Sequence, residues 1–279
     1  MKRVFIAGCG FAGLATARLC HAQGWEVIGG THSAESASLL QAEPFEVVGV
    51  DICDREALAA ARHLQGLDAV IHCASSGRGG AEQYRAVYLE GARNLAEVLA
   101  PGRLLFTSST SVYAQTDGQW VDEESAAEPD RETGQVLCAT ERLVCAGGGI
   151  VARLAGIYGP ARSVLLKKFF SGEARVEGDG QRWINQIHRD DIASGLLCLV
   201  ETGRSGVFNL SDDLPLQQLA VYEWLSRRFE RPMPASAEID LNRKRGWTNK
   251  RVSNQRLRAL GWRPRFASFL EAVEHSQLL

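Results

Sequence analysis

The chain has 279 residues, of which 45% are hydrophobic and 23% charged, with a formal charge of −2. That length supports one large α/β domain or a domain with a smaller lobe, and enough apolar material to bury a full core. The near-neutral charge argues against a polyanionic partner, so nucleic acid binding is not expected.

The first two thirds alternate short apolar runs with helical segments, the pattern that builds parallel sheets. Val4–Ala7 reads as a strand, Gly13–Ala22 as a helix stopped by Gly24, and Glu26–Ile28 as a second strand. A third strand, Glu46–Val50, runs into Asp51, and Asp54 is placed to cap a helix Arg55–Leu64. A strand Ala69–Cys73, a helix Glu82–Leu99 ended by Pro101-Gly102, and a strand Leu104–Thr107 follow. The polar stretch 116–131 leads to a helix Gln135–Ala146, a triple-glycine turn at 147–149 and a strand Ile150–Leu154. Together they predict a doubly wound parallel sheet over residues 1–154. Beyond it the regularity fades, with two helices at Arg189–Val200 and Leu216–Arg228 and a short one after Ser253. Residues 155–279 are expected to form a smaller lobe, with the segment near 187–200 returning to the first domain. Such a lobe would roof the carboxyl ends of the strands, where ligands of these sheets sit.

Seven cysteines (Cys9, Cys20, Cys53, Cys73, Cys138, Cys145, Cys198) form no CxxC pair, and no His/Cys/Asp cluster has metal spacing. They read as free thiols of a reducing compartment, the cytoplasm. The apolar N-terminal run is broken by three glycines and meets Arg18, so neither a signal peptide nor a membrane span is expected.

Gly8-Cys9-Gly10-Phe11-Ala12-Gly13 follows the first strand and opens the first helix. Glycines there permit the tight turn and bring backbone N–H groups and the helix N-terminus to a pyrophosphate. The end of the second strand, Thr31-His32-Ser33, has no carboxylate for a ribose 2′-hydroxyl, which tilts the choice towards NADP over NAD. No arginine is there to fix that choice, and a plain polar turn capping the next helix is the competing reading.

Further along come Asp51-Ile52-Cys53-Asp54, Val70–Ser75, Phe106–Tyr113, Arg153–Pro160, Ile187–Ile192, Val207–Ser211 and Leu260–Pro264. With the glycine loop these segments, in this order, resemble the extended short-chain dehydrogenase/reductase superfamily of nucleotide-sugar epimerases and dehydratases. The resemblance runs nearly end to end and implies a Rossmann-type fold with a C-terminal substrate lobe. It implies that Asp51 and Ile52 contact adenine, and that Cys73, Ala74, Ser75, Thr107 and Ser108 lie along the nicotinamide end. The superfamily's chemistry uses a tyrosine acid/base with a lysine four residues later, plus a serine or threonine that polarises the carbonyl. Ser109 matches that serine. The tyrosine and lysine positions fall on Thr133 and Leu137, the latter expected against the cofactor, and no Tyr-x-x-x-Lys occurs anywhere. The superfamily's relay asparagine falls on Tyr88. Tyr113 is the nearby candidate to replace the missing acid/base, against a plain packing role.

Tyr158, Arg162, Arg182 and His188 are expected to face the substrate, with His188 equally suited to capping a helix. Among the cations Arg153, Arg162, Arg182, Arg243, Lys244, Arg245 and Arg251, the resemblance favours Arg162 and Arg182 for a diphosphate-bearing substrate. Two functions remain: an NAD(P)-dependent epimerase, dehydratase or reductase acting on a nucleotide-sugar or similar polar carbonyl substrate, or a cofactor-binding sensor without turnover. The helices Glu82–Leu99 and Gln135–Ala146 could pair across a homodimer or simply pack on the sheet.

Overall fold

The computed structural model describes residues 1–77, 79–241, 246–275 and 278. The N-terminal half lays down β1 (Arg3–Ala7), α1 (Phe11–Ala22), β2 (Glu26–Thr31), α2 (Ala34–Ser38), β3 (Glu46–Gly49), α3 (Arg55–Ala60) and β4 (Ala69–His72). Next come α4 (Ala81–Tyr84), α5 (Gly91–Leu99), β5 (Leu104–Ser109), β6 (Trp120–Val121), α6 (Glu132–Ala146) and β7 (Ile150–Leu154). The remainder holds β8 (Gly156–Tyr158), α7 (Val164–Phe170), β9 (Val176–Glu177), β10 (Trp183–Ile184), β11 (Gln186–His188), α8 (Arg189–Thr202) and β12 (Gly206–Leu210). It ends with β13 (Leu216–Gln217), α9 (Gln218–Arg228), β14 (Ser236–Ala237), β15 (Arg251–Val252), α10 (Gln255–Arg258) and α11 (Phe269–His275).

Seven strands pair in parallel in the order β12-β7-β5-β4-β1-β2-β3. The order reverses between β1 and β4, and that switch opens a crevice at their carboxyl ends. β1 shows why the sheet is buried on both sides: Val4 and Ile6 join one apolar cluster with Ala17 and Cys20 of α1 and Leu196 of α8. Phe5 and Ala7 point the other way, into a cluster with Leu58 of α3, Leu95 of α5 and Val136 of α6. Period-two alternation with apolar residues from Val4 to Ala7 leaves that stretch of the strand no solvent face. A third cluster, around Tyr158, Phe169, Tyr222 and Phe269, draws its side chains from the C-terminal part of the chain.

Three departures from the sequence expectation matter. The helix expected over 82–99 is split by a π-helical turn at Arg85–Glu90, which lies between α4 and α5. The chain returns to the main sheet not only through α8, which packs on α1, but through β12, paired with β7. The segment expected as a helix from Leu216 begins as β13, and α9 starts at Gln218. No described helix is long and apolar enough to cross a membrane.

Candidate functional site

The glycine loop is built by contacts that exclude side chains. Gly8, at φ 103°, and Cys9 donate their N–H groups to the Gly30 carbonyl at 3.0 and 2.7 Å, which ties the loop to β2. A Cβ on Gly8 would lie 2.4 Å from the Ala74 nitrogen, and one on Gly13 would lie 2.1 Å from the Gly8 oxygen. At Gly10, in contrast, nothing lies within 4 Å, so the loop is open on that side. α1 has no side-chain cap and no acidic residue in its first turn, which leaves its N-terminal N–H groups and its positive dipole end for an anion.

Beside the loop lies a cavity of about 430 Å³ bordered by Gly8, Thr31, His32, Asp51, Ile52 and Ser75. The Asp51 carboxylate accepts from Cys53 N at 2.9 Å and lies 3.6 Å from His32 Nδ1. Thr31 Oγ1 donates to the Ser33 carbonyl at 2.9 Å, while Ser33 Oγ accepts from Ser36 N and caps α2. These two hydroxyls serve the turn, as the competing sequence reading held, and His32 is the exposed member of the three. The cavity also takes in Ala74. The loop residues Phe11 and Ala12 open α1, and burial pushes the Cys73 thiol up.

At its carboxyl end the strand β5 delivers three hydroxyls with different fates. Thr107 Oγ1 donates to the His72 carbonyl at 2.9 Å, and Ser108 Oγ donates to Glu141 Oε1 at 2.5 Å. Both are committed to the protein. Ser109 is half-buried, its Oγ accepting from Ser111 N at 3.2 Å, so its hydroxyl proton is left to donate elsewhere.

Tyr113 is not placed as an exchangeable acid/base. It has no exposed surface, its hydroxyl donates to Asn209 Oδ1 at 2.9 Å, and it accepts from Arg153 Nη1 at 2.8 Å. Burial pushes the phenol up, against the pull of the Arg153 guanidinium. Arg153 is likewise no substrate cation: it is buried and clamped by Glu141. Leu137 packs inside the α6 core face rather than offering a polar group, and Tyr88 accepts from Ser76 N at 3.4 Å.

Two expected substrate residues are turned inward. Tyr158 has no exposed surface and stands edge-on to the rings of His188 and Phe269. His188 is buried too, and its Nδ1 accepts from Asp190 N at 3.2 Å, capping α8. Arg182 donates from Nε to the Thr248 carbonyl at 3.0 Å and lies 3.6 Å from Glu177. Arg251 is held between the rings of Trp120 and Trp183. Arg162 is exposed, with its guanidinium carbon 4.9 Å over the Phe11 ring. Arg243, Lys244 and Arg245 lie outside the described residues.

One residue escaped the sequence reading. Lys250 is buried, donating to the Tyr113 carbonyl at 2.9 Å and to Thr248 Oγ1 at 2.8 Å, and no carboxylate of a described residue lies within 4 Å of it. Burial, with the charge of Arg182, pulls its ammonium down to about 7. In sequence it sits among polar residues and reads as a solvated face; only its neighbours in space bury it. Among the described residues no group of three or more His, Cys, Asp or Glu is arranged to hold a metal.

Residues 4–211 match the model of the NAD dependent epimerase/dehydratase family. Protein YeeZ of Escherichia coli K12 is 30% identical over 227 residues, which cover 75% of this chain and 77% of that protein. The 3-diazoavenalumate denitrifying reductase of a Streptomyces species is 26% identical, covering 97% of this chain and 99% of that one. A solved structure from Methylobacillus flagellatus, described as an NAD-dependent epimerase/dehydratase, superposes with a TM-score of 0.80 at 28% identity. That match covers 98% of this chain and 96% of the other.

Proposed function

The chain belongs to the NAD dependent epimerase/dehydratase family, and from that premise we propose that it is a nicotinamide-dependent reductase of a small polar carbonyl compound. The observation that carries this reading is a glycine loop, open at Gly10, that follows β1, with the half-buried Ser109 ending β5 two strands away in the same parallel sheet. The residues present suit a dinucleotide. Gly8 and Gly13 leave no room for side chains under the loop, the uncapped α1 faces a pyrophosphate, and the cavity at Asp51 and Ile52 has the size for an adenosine.

When bound, the nicotinamide would supply or accept hydride. Ser109 would donate its hydroxyl proton in a hydrogen bond to the reacting oxygen and so polarise the carbonyl. What the chain lacks decides between family chemistries. Epimerisation and dehydration begin by removing a proton from an ordinary alcohol, which needs a positioned base, and Thr133 and Leu137 supply none. Reduction needs only polarisation and a proton, which water at Ser109 can deliver at some loss in rate. General acid/base help is commonly worth about 10²- to 10⁴-fold, so a slow reductase is the outcome. The full-length similarity to a relative named as a reductase supports this choice. A nucleotide-linked sugar stays within the substrate class.

On the cofactor, the missing β2 carboxylate favours NADP, while Asp51 beside His32 restores a carboxylate to the same neighbourhood and favours NAD. We expect NADPH and NADH to bind within about tenfold of one another, about 1.4 kcal/mol. The test is consumption of bound NADPH or NADH on addition of a panel of aldehydes, ketones and keto-sugar nucleotides. Consumption that Ser109→Ala lowers supports the reductase. Epimerisation of a sugar nucleotide with no net change in the cofactor would overturn it. Tight cofactor binding with no turnover on any acceptor would favour a sensor instead, a reading that the locked Tyr113 hydroxyl also suits.

A further inference from the structure

We propose that Arg162, carried by the C-terminal lobe, is a ligand of the cofactor pyrophosphate, and that Phe11 and Gly159 exist in their places to hold it there. The inference rests on the dinucleotide reading above and departs from the sequence expectation that Arg162 serves the substrate.

The turn between β8 and α7 is fixed by its own backbone. Gly159 N donates to the Arg162 carbonyl at 2.9 Å, Arg162 N donates back to the Gly159 carbonyl at 3.0 Å, and Ala161 takes φ 57° to close it. A non-glycine residue in that region is uncommon and marks a turn held by its surroundings. The turn is pressed onto the glycine loop. A Cβ on Gly159 would stand 3.1 Å from the Phe11 ring and 2.9 Å from Arg189 Cβ, so a larger residue would lift the turn away. Arg162 then lies flat over Phe11, 4.9 Å from guanidinium carbon to ring centre, a stacking that orients a guanidinium without using its N–H donors.

Two arginines share that ring, and their contrast carries the argument. Arg189, 5.3 Å over Phe11, gives its Nε to Asp190 at 2.8 Å. Arg162 has neither a side-chain hydrogen bond nor a carboxylate within 4 Å among the described residues. Phe11 is also the first residue of α1, whose first turn contains no acid and whose N–H groups have no side-chain cap. A free guanidinium is therefore pinned beside the positive end of a helix, an arrangement that repels until an anion lies between them. A diphosphate fits both: the helix N–H groups take one side and the planar fork of Arg162 takes oxygens in pairs from the other. Because Arg162 follows β8, its contact with the cofactor would add to the packing that already holds this turn on the glycine loop.

The experiment measures equilibrium binding of NADH, NADPH, ADP-ribose and adenosine to the full chain, by calorimetry or quenching of protein fluorescence. We compare wild type with Arg162→Gln, Arg162→Lys and Phe11→Leu. Loss of a charge-assisted contact predicts about 10- to 100-fold weaker binding of NADH and ADP-ribose in Arg162→Gln, with adenosine unchanged. Arg162→Lys should recover part of that loss, and the salt dependence of NADH binding should become shallower in Arg162→Gln. Unchanged NADH affinity in Arg162→Gln, or an equal loss for adenosine, overturns the proposal while leaving the dinucleotide reading intact. Failure of wild type to bind any of the pyrophosphate compounds overturns both. Since Arg162 is exposed, the variant is expected to fold, and an unchanged melting curve checks it.

Discussion

At the scale of single residues, β5 separates the hydroxyls of Thr107 and Ser108, which hold the fold, from that of Ser109, which the proposed reaction uses. Ser108, Glu141, Arg153, Tyr113 and Asn209 form one buried chain of hydrogen bonds running from β5 through α6 and β7 to β12. Removing the Tyr113 hydroxyl strands an Arg153 donor and the Asn209 side chain away from water. Tyr113→Phe should therefore lower stability by about 1–3 kcal/mol in urea unfolding while leaving NADPH affinity within error. Ser109→Ala should do the reverse, leaving the unfolding midpoint in place and lowering turnover. A Tyr113→Phe protein of unchanged stability with reduced turnover would restore the catalytic role we deny it. Ser109 was legible in the sequence because it matches the carbonyl-polarising serine of the family that the chain resembles, and its place at the end of β5 needs only the local strand pattern. The fate of Tyr113 was not, because its hydroxyl partners come from residues 40 and 96 positions away along the chain.

Elements were legible where periodicity and chain punctuation agree, and obscure where tertiary contact decides. β1 and β4 are apolar runs and α1 is set between Gly10 and Gly24, and the parallel sheet follows from their alternation. β12 is no shorter than β1 but carries the polar Asn209 and lies at the edge of the sheet, so nothing local marks it as the partner of β7; the side chain is accepted there because Tyr113 and the Ser253 carbonyl satisfy it. The π-helical turn at Arg85–Glu90 leaves no mark in the hydrophobic pattern either. Glycine packing gives the sharpest test at this scale. A Cβ on Gly13 would meet the Gly8 oxygen at 2.1 Å, and one on Gly49 would meet the Ala34 nitrogen at 2.2 Å. Both Gly13→Ala and Gly49→Ala should therefore destabilise by about 1–3 kcal/mol or more through overpacking. Only Gly13→Ala should also abolish cofactor binding, since it alone displaces the pyrophosphate loop. Retained binding in a folded Gly13→Ala protein would mean that the loop is not the cofactor's seat.

For the molecule as a whole, ionisable groups are buried without full compensation, and pH should reveal them. Lys250 reaches from beside β15 to the Tyr113 carbonyl, with its ammonium pulled from 10.5 to about 7 by burial and by Arg182. A depressed folded value means that the unfolded chain binds the extra proton between those two values. Its contribution to stability is present above the unfolded value and is lost as pH falls through about 7. The buried thiols Cys9 and Cys20, each pushed to about 12 by burial, act oppositely, since unfolded thiols ionise above pH 9 and pull the chain open. On the acid side Asp191, raised to about 6 by burial, contributes stability that is lost as pH rises through that value. Between about pH 7 and 9 Lys250 acts without those opponents, while Asp212, which burial holds well above the usual carboxylate range, pulls the other way. The Lys250 part is therefore read as the difference from a variant: across that window the wild-type melting temperature should climb more with pH than that of a protein without the ammonium. Lys250→Met should flatten the climb whatever it does to the absolute melting temperature, because a thioether has no proton to lose. A slope that survives the substitution would assign the titration to another group and leave the Lys250 ammonium with an ordinary pKa.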